Sequence, residues 1–365
     1  RNYAPWEIKR DTIIKQEIKK TGIECETSNG NLLWEPWEIL KKDGTPYKVF
    51  TPFYRKGCLG SSPPRAPLPK PPKINLKQNI VKNNEFDINK TNTNNWQKSI
   101  LSHALIGEKK AFERLEFFIK NGLKNYKEGR NFPSLDNVSR LAPNFHFGEI
   151  SPNKVWYTVV NNNENTDHFL SELGWREFSN HLLYHFPQFI YENLQKKFDG
   201  FPWKNDGIAL KKWQKGLTGF PLVDAGMREL WQTGSMHNRL RMVVGSFLVK
   251  NLLIDWRHGA KWFWNCLFDA DIANNTAGWQ WIAGCGADAA PYFRVFNPVT
   301  QSEKFDKKGI YIKKYIPELI HLDQKFIHCP WEAPNSVLLN AGIKLGETYP
   351  SPIVDLKVSR LKALE

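Results

Sequence analysis

The chain has 365 residues, with 51 Lys plus Arg against 37 Asp plus Glu for a formal charge of +14, and 41% of it is hydrophobic. At roughly 150 residues per domain that is two or three domains, with apolar content enough for packed cores and too high for a disordered tail. No stretch approaches the ~18 uninterrupted apolar residues of a membrane span, and the opening RNYAPWEIKRD is no signal peptide.

In chain order, residues 7–21 carry Ile8, Ile13, Ile14 and Ile18 at helical spacing and end at Gly22. A strand-like stretch at 23–27 follows, then the turn Ser28-Asn29-Gly30, a second turn Lys42-Asp43-Gly44-Thr45, and a further strand-like run from Tyr47 to Phe50. Residues 1–60 thus read as the tail of an α/β unit too small to close its own sheet, and an opening without Met points to a longer parent. The composition then breaks. Residues 61–72, SSPPRAPLPKPP, hold six prolines and must be extended, and 73–98 hold eight Asn and five Lys. Residues 61–98 therefore read as a surface linker. Residues 99–365 read as all-helical, with helices over 104–120 and 167–186, a long one over 236–258 stopped by Gly259, and shorter ones at 261–268 and around Trp279-Gln280-Trp281. Five cysteines (Cys25, Cys58, Cys266, Cys285, Cys329) never form CxxC, which excludes a disulfide framework and a four-thiolate zinc site and leads us to expect a reduced, cytoplasmic protein.

Two anomalies narrow the function. Fourteen surplus positive charges indicate a polyanionic partner, nucleic acid first, with a diffuse solubilising charge as the alternative. Fifteen Trp beside 23 Phe and 11 Tyr indicate stacking platforms or an aromatic cofactor pocket in addition to an aromatic core.

Three constellations carry chemistry. Glu172, Trp175 and Arg176 share one helical face and read either as a reader of a planar polar ligand or as a surface ion pair beside a half-buried Trp. In SMHNRLRM (235–242), Asn238 and Met242 are one turn apart and suit a nucleobase wall, while the apolar stripe brings arginines near a buried surface, where they need carboxylates or phosphates. Asp269, Asp271, Asn274 and Asn275 form an acidic, amide-rich junction that could meet a heterocycle edge or cap a helix. No metal-ligand spacing, nucleophile motif or Gly-rich phosphate loop occurs.

The runs NVSRLAPNFHFGEISP (137–152), ELGWREF (172–178), TGFPLVDAGMREL (218–230), MHNRLRMVVGSFLVKNLLIDWRHG (236–259) and ANNTAGWQWIAGCGADAAPYFRVFNPVTQSEKFD (273–306) resemble the photolyase/cryptochrome family, in its microbial branch acting on cyclobutane pyrimidine dimers. DGTPYKVFTPFYR (43–55) is similar to the end of that family's antenna domain, so the resemblance implies the α/β remnant of a Rossmann-like antenna domain followed by a large all-α FAD-binding domain. It implies light-driven dimer repair by electron transfer from reduced FAD, with a cryptochrome-like photoreceptor lacking repair as the alternative. UV-damaged DNA would be the partner of a monomer with no membrane contact. A folate or deazaflavin antenna chromophore would belong to the longer parent.

Residue by residue, the resemblance implies FAD contacts from Tyr126, from Val138, Ser139, Arg140, Leu141 and Ala142, and from Arg176, Asn238, Arg241, Asp269, Asp271 and Asn275. Asn275 would face flavin N5, and Arg241 would pair with Asp269. Val138 and Ala142 stand where the family often has hydroxyls, so backbone N–H groups would serve the diphosphate instead. Glu172, Trp175, Asn238, Met242 and Trp281 would form the lesion pocket, and Arg130, Arg239, Arg294 and Gln301 would hold the DNA backbone. Trp279, Trp256 and Trp203 match an electron chain from flavin to surface.

Overall fold

The computed structural model describes residues 1–70, 95–162, 166–289 and 294–364. Most of the expected linker, 71–94, lies outside them, as does 290–293 of the last family-like run. The first half contributes α1 Pro5–Lys20, α2 Asn95–His103, α3 Glu108–Asn121, α4 Pro152–Val160 and α5 Asp167–His185. The second half contributes α6 Gly207–Gln214, α7 Pro221–Thr233, α8 Asn238–Ser246, α9 Trp256–Cys266, α10 Ile272–Ala283, α11 Pro298–Phe305 and α12 Ile310–Tyr315. Among the described residues no helix is long and apolar enough to cross a membrane, and no cluster of three metal-ligating side chains occurs.

The expected strands are absent. Only two isolated bridges occur among the described residues, Leu40 with Pro46 around the turn at 42–45, and Leu345 with Tyr349. A strand needs a ladder partner, and residues 23–27 lie exposed, with Ile23 63% accessible and no backbone partner among the described residues. At 47–50 a side chain takes the partner's place: the Tyr47 N–H donates to His181 Nε2 at 3.1 Å, and Phe50 opens the helical turn Phe50–Pro52.

Residues 1–60 have no core of their own. Tyr3, Leu32, Leu33, Phe53 and Cys58 are buried in one cluster with Leu115, Phe118, Phe169, Phe178 and Phe189. A polar seam along α5 fixes this union at positions one turn apart. Glu177 accepts from the N–H groups of Leu33 (2.8 Å) and Trp34 (3.2 Å), His181 accepts from Tyr47, and His185 Nε2 meets the Pro36 carbonyl at 2.9 Å. The proline-rich segment forms neither helix nor strand over its described residues 62–70. Its carbonyls at Ser62, Pro64 and Arg65 accept from Trp34 Nε1, the Tyr157 hydroxyl and Asn153 Nδ2. Its far end differs from expectation, because α2 already starts at Asn95.

A second core gathers Trp213, Leu240, Val244, Phe247, Trp256, Trp279 and Tyr311. Two helix boundaries, one in each core, depart from the sequence reading. The 104–120 helix begins only at Glu108, after Gly107 at φ 95°. The expected 236–258 helix is broken: α8 runs into a π turn Phe247–Asn251, Leu253 adopts φ 56°, and Asp255 caps a new helix by accepting from the Arg257 N–H at 2.9 Å. Gly259 is therefore no stop. It sits inside α9, where a Cβ would lie 2.1 Å from the Trp279 ring. Helix α10 packs on both α5 and α9, with Ala273 in the first core and Trp279, Ile282 and Ala283 in the second.

Candidate functional site

The site forms where α8 and α10 face each other. Gly234, left-handed at φ 65°, ends α7, and its carbonyl accepts from the Phe268 N–H at 2.7 Å. That tie brings the α9–α10 junction to the start of α8. Arg241 consequently meets Asp269 through two hydrogen bonds of 3.1 and 2.9 Å, with its Nε on the Met236 carbonyl at 2.9 Å. Asp271 caps α10, accepting from the backbone and side-chain amides of Asn274 at 2.8 and 2.7 Å. Asn275 donates its Nδ2 to the Ala260 carbonyl at 2.9 Å, which orients the amide and leaves Oδ1 as an acceptor with no donor among the described residues.

The loop 138–142 is strapped down by Arg114. Its guanidinium binds Asp136 at 2.8 and 2.7 Å, the Ser139 carbonyl at 2.9 Å, and the Val138 carbonyl. With those carbonyls held, the N–H groups of the loop find no acceptor among the described residues, which suits a diphosphate. Leu141 is buried, Arg140 sits at φ 56° and pairs with Asp136 at 3.1 Å, and Ala142 opens the short helix Ala142–His146. Tyr126 is buried edge-on against Phe118 and Phe169. Arg176 is turned otherwise: its terminal nitrogens bind the backbone and side-chain oxygens of Asn31 and reach Glu177, so this guanidinium clamps the N-terminal unit.

The positions matched to DNA converge on a positive field. Arg130, stacked over Tyr126 at 5.3 Å, ion-pairs with Glu172. Arg239 binds Asn131 Oδ1, lies 4.4 Å over the Phe305 ring, and reaches the Met242 sulfur at 3.9 Å. Gln301 is one turn before Phe305 on α11. Burial, then the charges of Arg130 and Arg294, pushes Arg239 below its usual range. Lys250, buried and donating to the Arg294 carbonyl at 2.9 Å, is pushed down to about 8 by burial and by Arg294. His237 is pushed down to about 3 by burial, then by Arg140, Arg239, Arg130 and Arg241. Its Nδ1 caps α8 by accepting from the Arg239 N–H at 3.2 Å, so the neutral ring carries its proton on Nε2, which is buried without a partner among the described residues. Asn238 is exposed, and Met242 and Trp281 are half-buried. Trp175 stacks on Phe50 at 3.9 Å and 10°, which covers one of its faces.

Of the three chain-candidate tryptophans, Trp256 opens α9, Trp279 lies on α10, and Trp203 sits in the segment before α6. Trp279 is wedged edge-on between Trp213 (6.1 Å) and Phe263 (4.9 Å). Trp256, one turn before Gly259, donates its indole N–H to Asn193 Oδ1 at 2.9 Å. Trp203 lines a surface cavity of about 420 Å³ with Asn193 and Arg257. Asn193 thus joins the buried Trp256 to the cavity that Trp203 borders.

Arg114, Asn131, Asn193 and Phe305 were not among the sequence candidates. One signal was available: Arg114 falls between Ala111 and Phe118 on the apolar face of α3, where a charge requires a partner. The others act through side chains distant in sequence.

Comparison with known proteins accords with this geometry. Residues 169–365 match the family described as the FAD binding domain of DNA photolyase, and residues 1–73 match DNA photolyase. A deoxyribodipyrimidine photo-lyase of Agrobacterium fabrum is 45% identical over all of this chain and 77% of its own length. Cryptochrome-2 of Arabidopsis thaliana is 36% identical over 98% of this chain and 61% of its own length. The crystal structure of a bacterial class III photolyase from Agrobacterium tumefaciens superposes with a TM-score of 0.94 at 44% identity, over all of this chain and 77% of that one. The chain belongs to the DNA photolyase family.

Proposed function

We propose that this protein repairs cyclobutane pyrimidine dimers in DNA under blue light. FAD bound in its reduced form would supply the single electron that opens the dimer and take it back, so no net redox change would occur. Arg241, Asp269 and the Asn275 carbonyl would hold the flavin edge, and the N–H groups of 138–142 the diphosphate. Tyr126, Asp271 and Asn238 would complete that pocket, with Arg176 supporting it through Asn31. Arg130, Arg239, Arg294 and Gln301 would bind DNA phosphates, and Glu172, Trp175, Asn238, Met242 and Trp281 the extruded bases. Extrusion costs a few kcal/mol, less for a distorted lesion, and stacking offsets it at about 1–3 kcal/mol per base. Trp279, Trp256 and Trp203 would carry electrons inward from the surface. Residues 1–60, 61–94 and 95–365 would be the antenna-domain part, linker and catalytic domain, the first belonging to a Rossmann-like fold of the kind that binds a folate or deazaflavin.

The observation that carries the lesion choice is His237. A six-four product needs proton transfer between bases, which an acid on this face would supply. Asn238 and Met242 cannot act as acids near neutral pH, and His237 has one ring nitrogen committed to the α8 cap and the other shut from solvent. Cyclobutane splitting needs no such acid. The test uses two oligonucleotides, each with one defined lesion, illuminated with FAD-loaded, reduced protein. Release of intact bases from the cyclobutane substrate alone is expected. Turnover of the six-four substrate overturns the lesion choice, and no turnover of either overturns the repair reading.

A further inference from the structure

Arg130 and Glu172 form the one carboxylate ion pair that any of the three clustered arginines makes among the described residues. Arg239 has the neutral Asn131 and a thioether instead, and Arg294 lies over the Phe296 ring. The pair is reachable, with the Arg130 side chain 22% and the Glu172 side chain 30% exposed. Each member is held from beneath: Arg130 ends the Tyr126–Gly129 turn above the Tyr126 ring, and Glu172 projects from the rigid α5.

Resting on the repair reading of this site, we propose that Arg130 is a specificity-determining residue that acts by occupying Glu172 until DNA arrives. A phosphate entering the arginine cluster competes with Glu172 for Arg130, and a base N–H competes with Arg130 for Glu172. A ligand offering only one of the two leaves the other half of a partly buried ion pair without a partner, which is unfavourable. A ligand offering both exchanges one ion pair for two charge-assisted hydrogen bonds. Phosphate binding and base recognition are thereby coupled, each improving the affinity for the other.

The coupling gives opposite signs for two ligands, which a merely structural role of Arg130 would not. In FAD-loaded Arg130→Gln, and in Arg130→Ala as a second variant, Glu172 is released. Affinity for the thymine photodimer free of sugar and phosphate should rise roughly threefold to tenfold, while affinity for an oligonucleotide carrying one dimer falls. In Glu172→Gln the released Arg130 should bind undamaged oligonucleotide more tightly than the parent does, with a steeper salt dependence. NMR line broadening reads the photodimer and fluorescence anisotropy the oligonucleotides. An unchanged or weakened photodimer affinity in both Arg130 variants overturns the proposal, as does weaker binding of undamaged DNA by Glu172→Gln. If the parent protein prefers damaged DNA and those signs fail, the coupling alone falls. If the parent shows no preference for damage, the repair reading falls and the coupling with it.

Discussion

Gly259→Ala separates two accounts of one residue by the sign of the effect. A glycine inside a helix is destabilising, and replacing it with Ala is worth roughly 0.8–1 kcal/mol. At Gly259, however, the new Cβ would sit 2.1, 2.4 and 2.6 Å from three atoms of the Trp279 six-membered ring. Ordinary carbon contacts are ~3.5–4 Å, so the ring must retreat by about 1.5 Å. It has little room, being 2% exposed and wedged between Trp213 and Phe263. Overpacking of this kind typically costs about 1–3 kcal/mol, and the three simultaneous contacts place it at the upper end. The net expectation is a loss of about 2 kcal/mol, read as a lower urea midpoint by circular dichroism with the denaturant slope unchanged. An unchanged or raised midpoint would refute the close-approach account. A phenyl ring is shorter than an indole, so the cost of Gly259→Ala should shrink by about half in a Trp279→Phe background, a coupling that a double-mutant cycle measures.

Asp269→Ala leaves Arg241, 29% exposed and still bound to the Met236 carbonyl, without its carboxylate. Discounting the ~3–5 kcal/mol of a fully buried broken pair gives about 2 kcal/mol, with faster loss of FAD on gel filtration and a milder effect for Asp269→Asn. Full FAD retention at unchanged stability would contradict the assignment. The seam on α5 makes stability depend on pH in two opposed ways. Burial, then the neighbouring His185, pushes His181 from 6.5 down to about 3, so the unfolded chain takes up a proton first and stability is lost as pH falls from about 6.5 towards 3. Burial pushes Glu177 from 4.5 up to about 7, so the unfolded chain releases its proton first and stability is lost as pH rises from about 4.5 to 7. His181→Gln should flatten the acid limb and Glu177→Gln the other, in urea midpoints from pH 4 to 8, and parental slopes in both variants would refute the seam's role. Trp203→Phe and Trp279→Phe should each abolish photoreduction of bound oxidised FAD while chemically reduced protein still splits dimers; equal loss of both activities would make these tryptophans structural.

Legibility in the sequence followed the range of the interactions involved. Helix α5 matches its 167–186 reading to within one residue, because its ends depend on local pattern. The pairing of Arg241 with Asp269 was implied by the family resemblance, and the local reading required only that a buried arginine have some partner. The break at 252–255 has little local signature, because NLLIDW contains neither Pro nor Gly and only Asp255, an N-cap, marks it. The strand expected at 47–50 does not form, because period and propensity cannot tell a ladder partner from a histidine 134 positions away. Asn193 and Asn131 were invisible for the same reason: an amide gains its role from whichever side chain the fold delivers to it.

The functional centre depends on the register between α9 and α10. Adjacent residues of α9, Gly259 and Ala260, meet positions one turn apart on α10, Trp279 and Asn275. Gly259 admits the indole ring, and the Ala260 carbonyl takes the amide proton that would otherwise leave Asn275 free to flip. A one-residue slip of α10 would rotate it by about 100°, removing the indole from its cleft and the Asn275 carbonyl from its orientation together. The register is held from both ends. Asp271 starts α10 by capping it, the left-handed Gly284 (φ 83°) ends it, and the fully buried Gln280 fixes its middle by donating to the carbonyls of Phe189 (2.6 Å) and Glu192 (2.8 Å). Trp279, proposed for electron supply, and Asn275, proposed for the flavin edge, are thus set by one helix, and that helix is fixed by Asp271, itself proposed for the flavin pocket, by Gln280 and by two glycines.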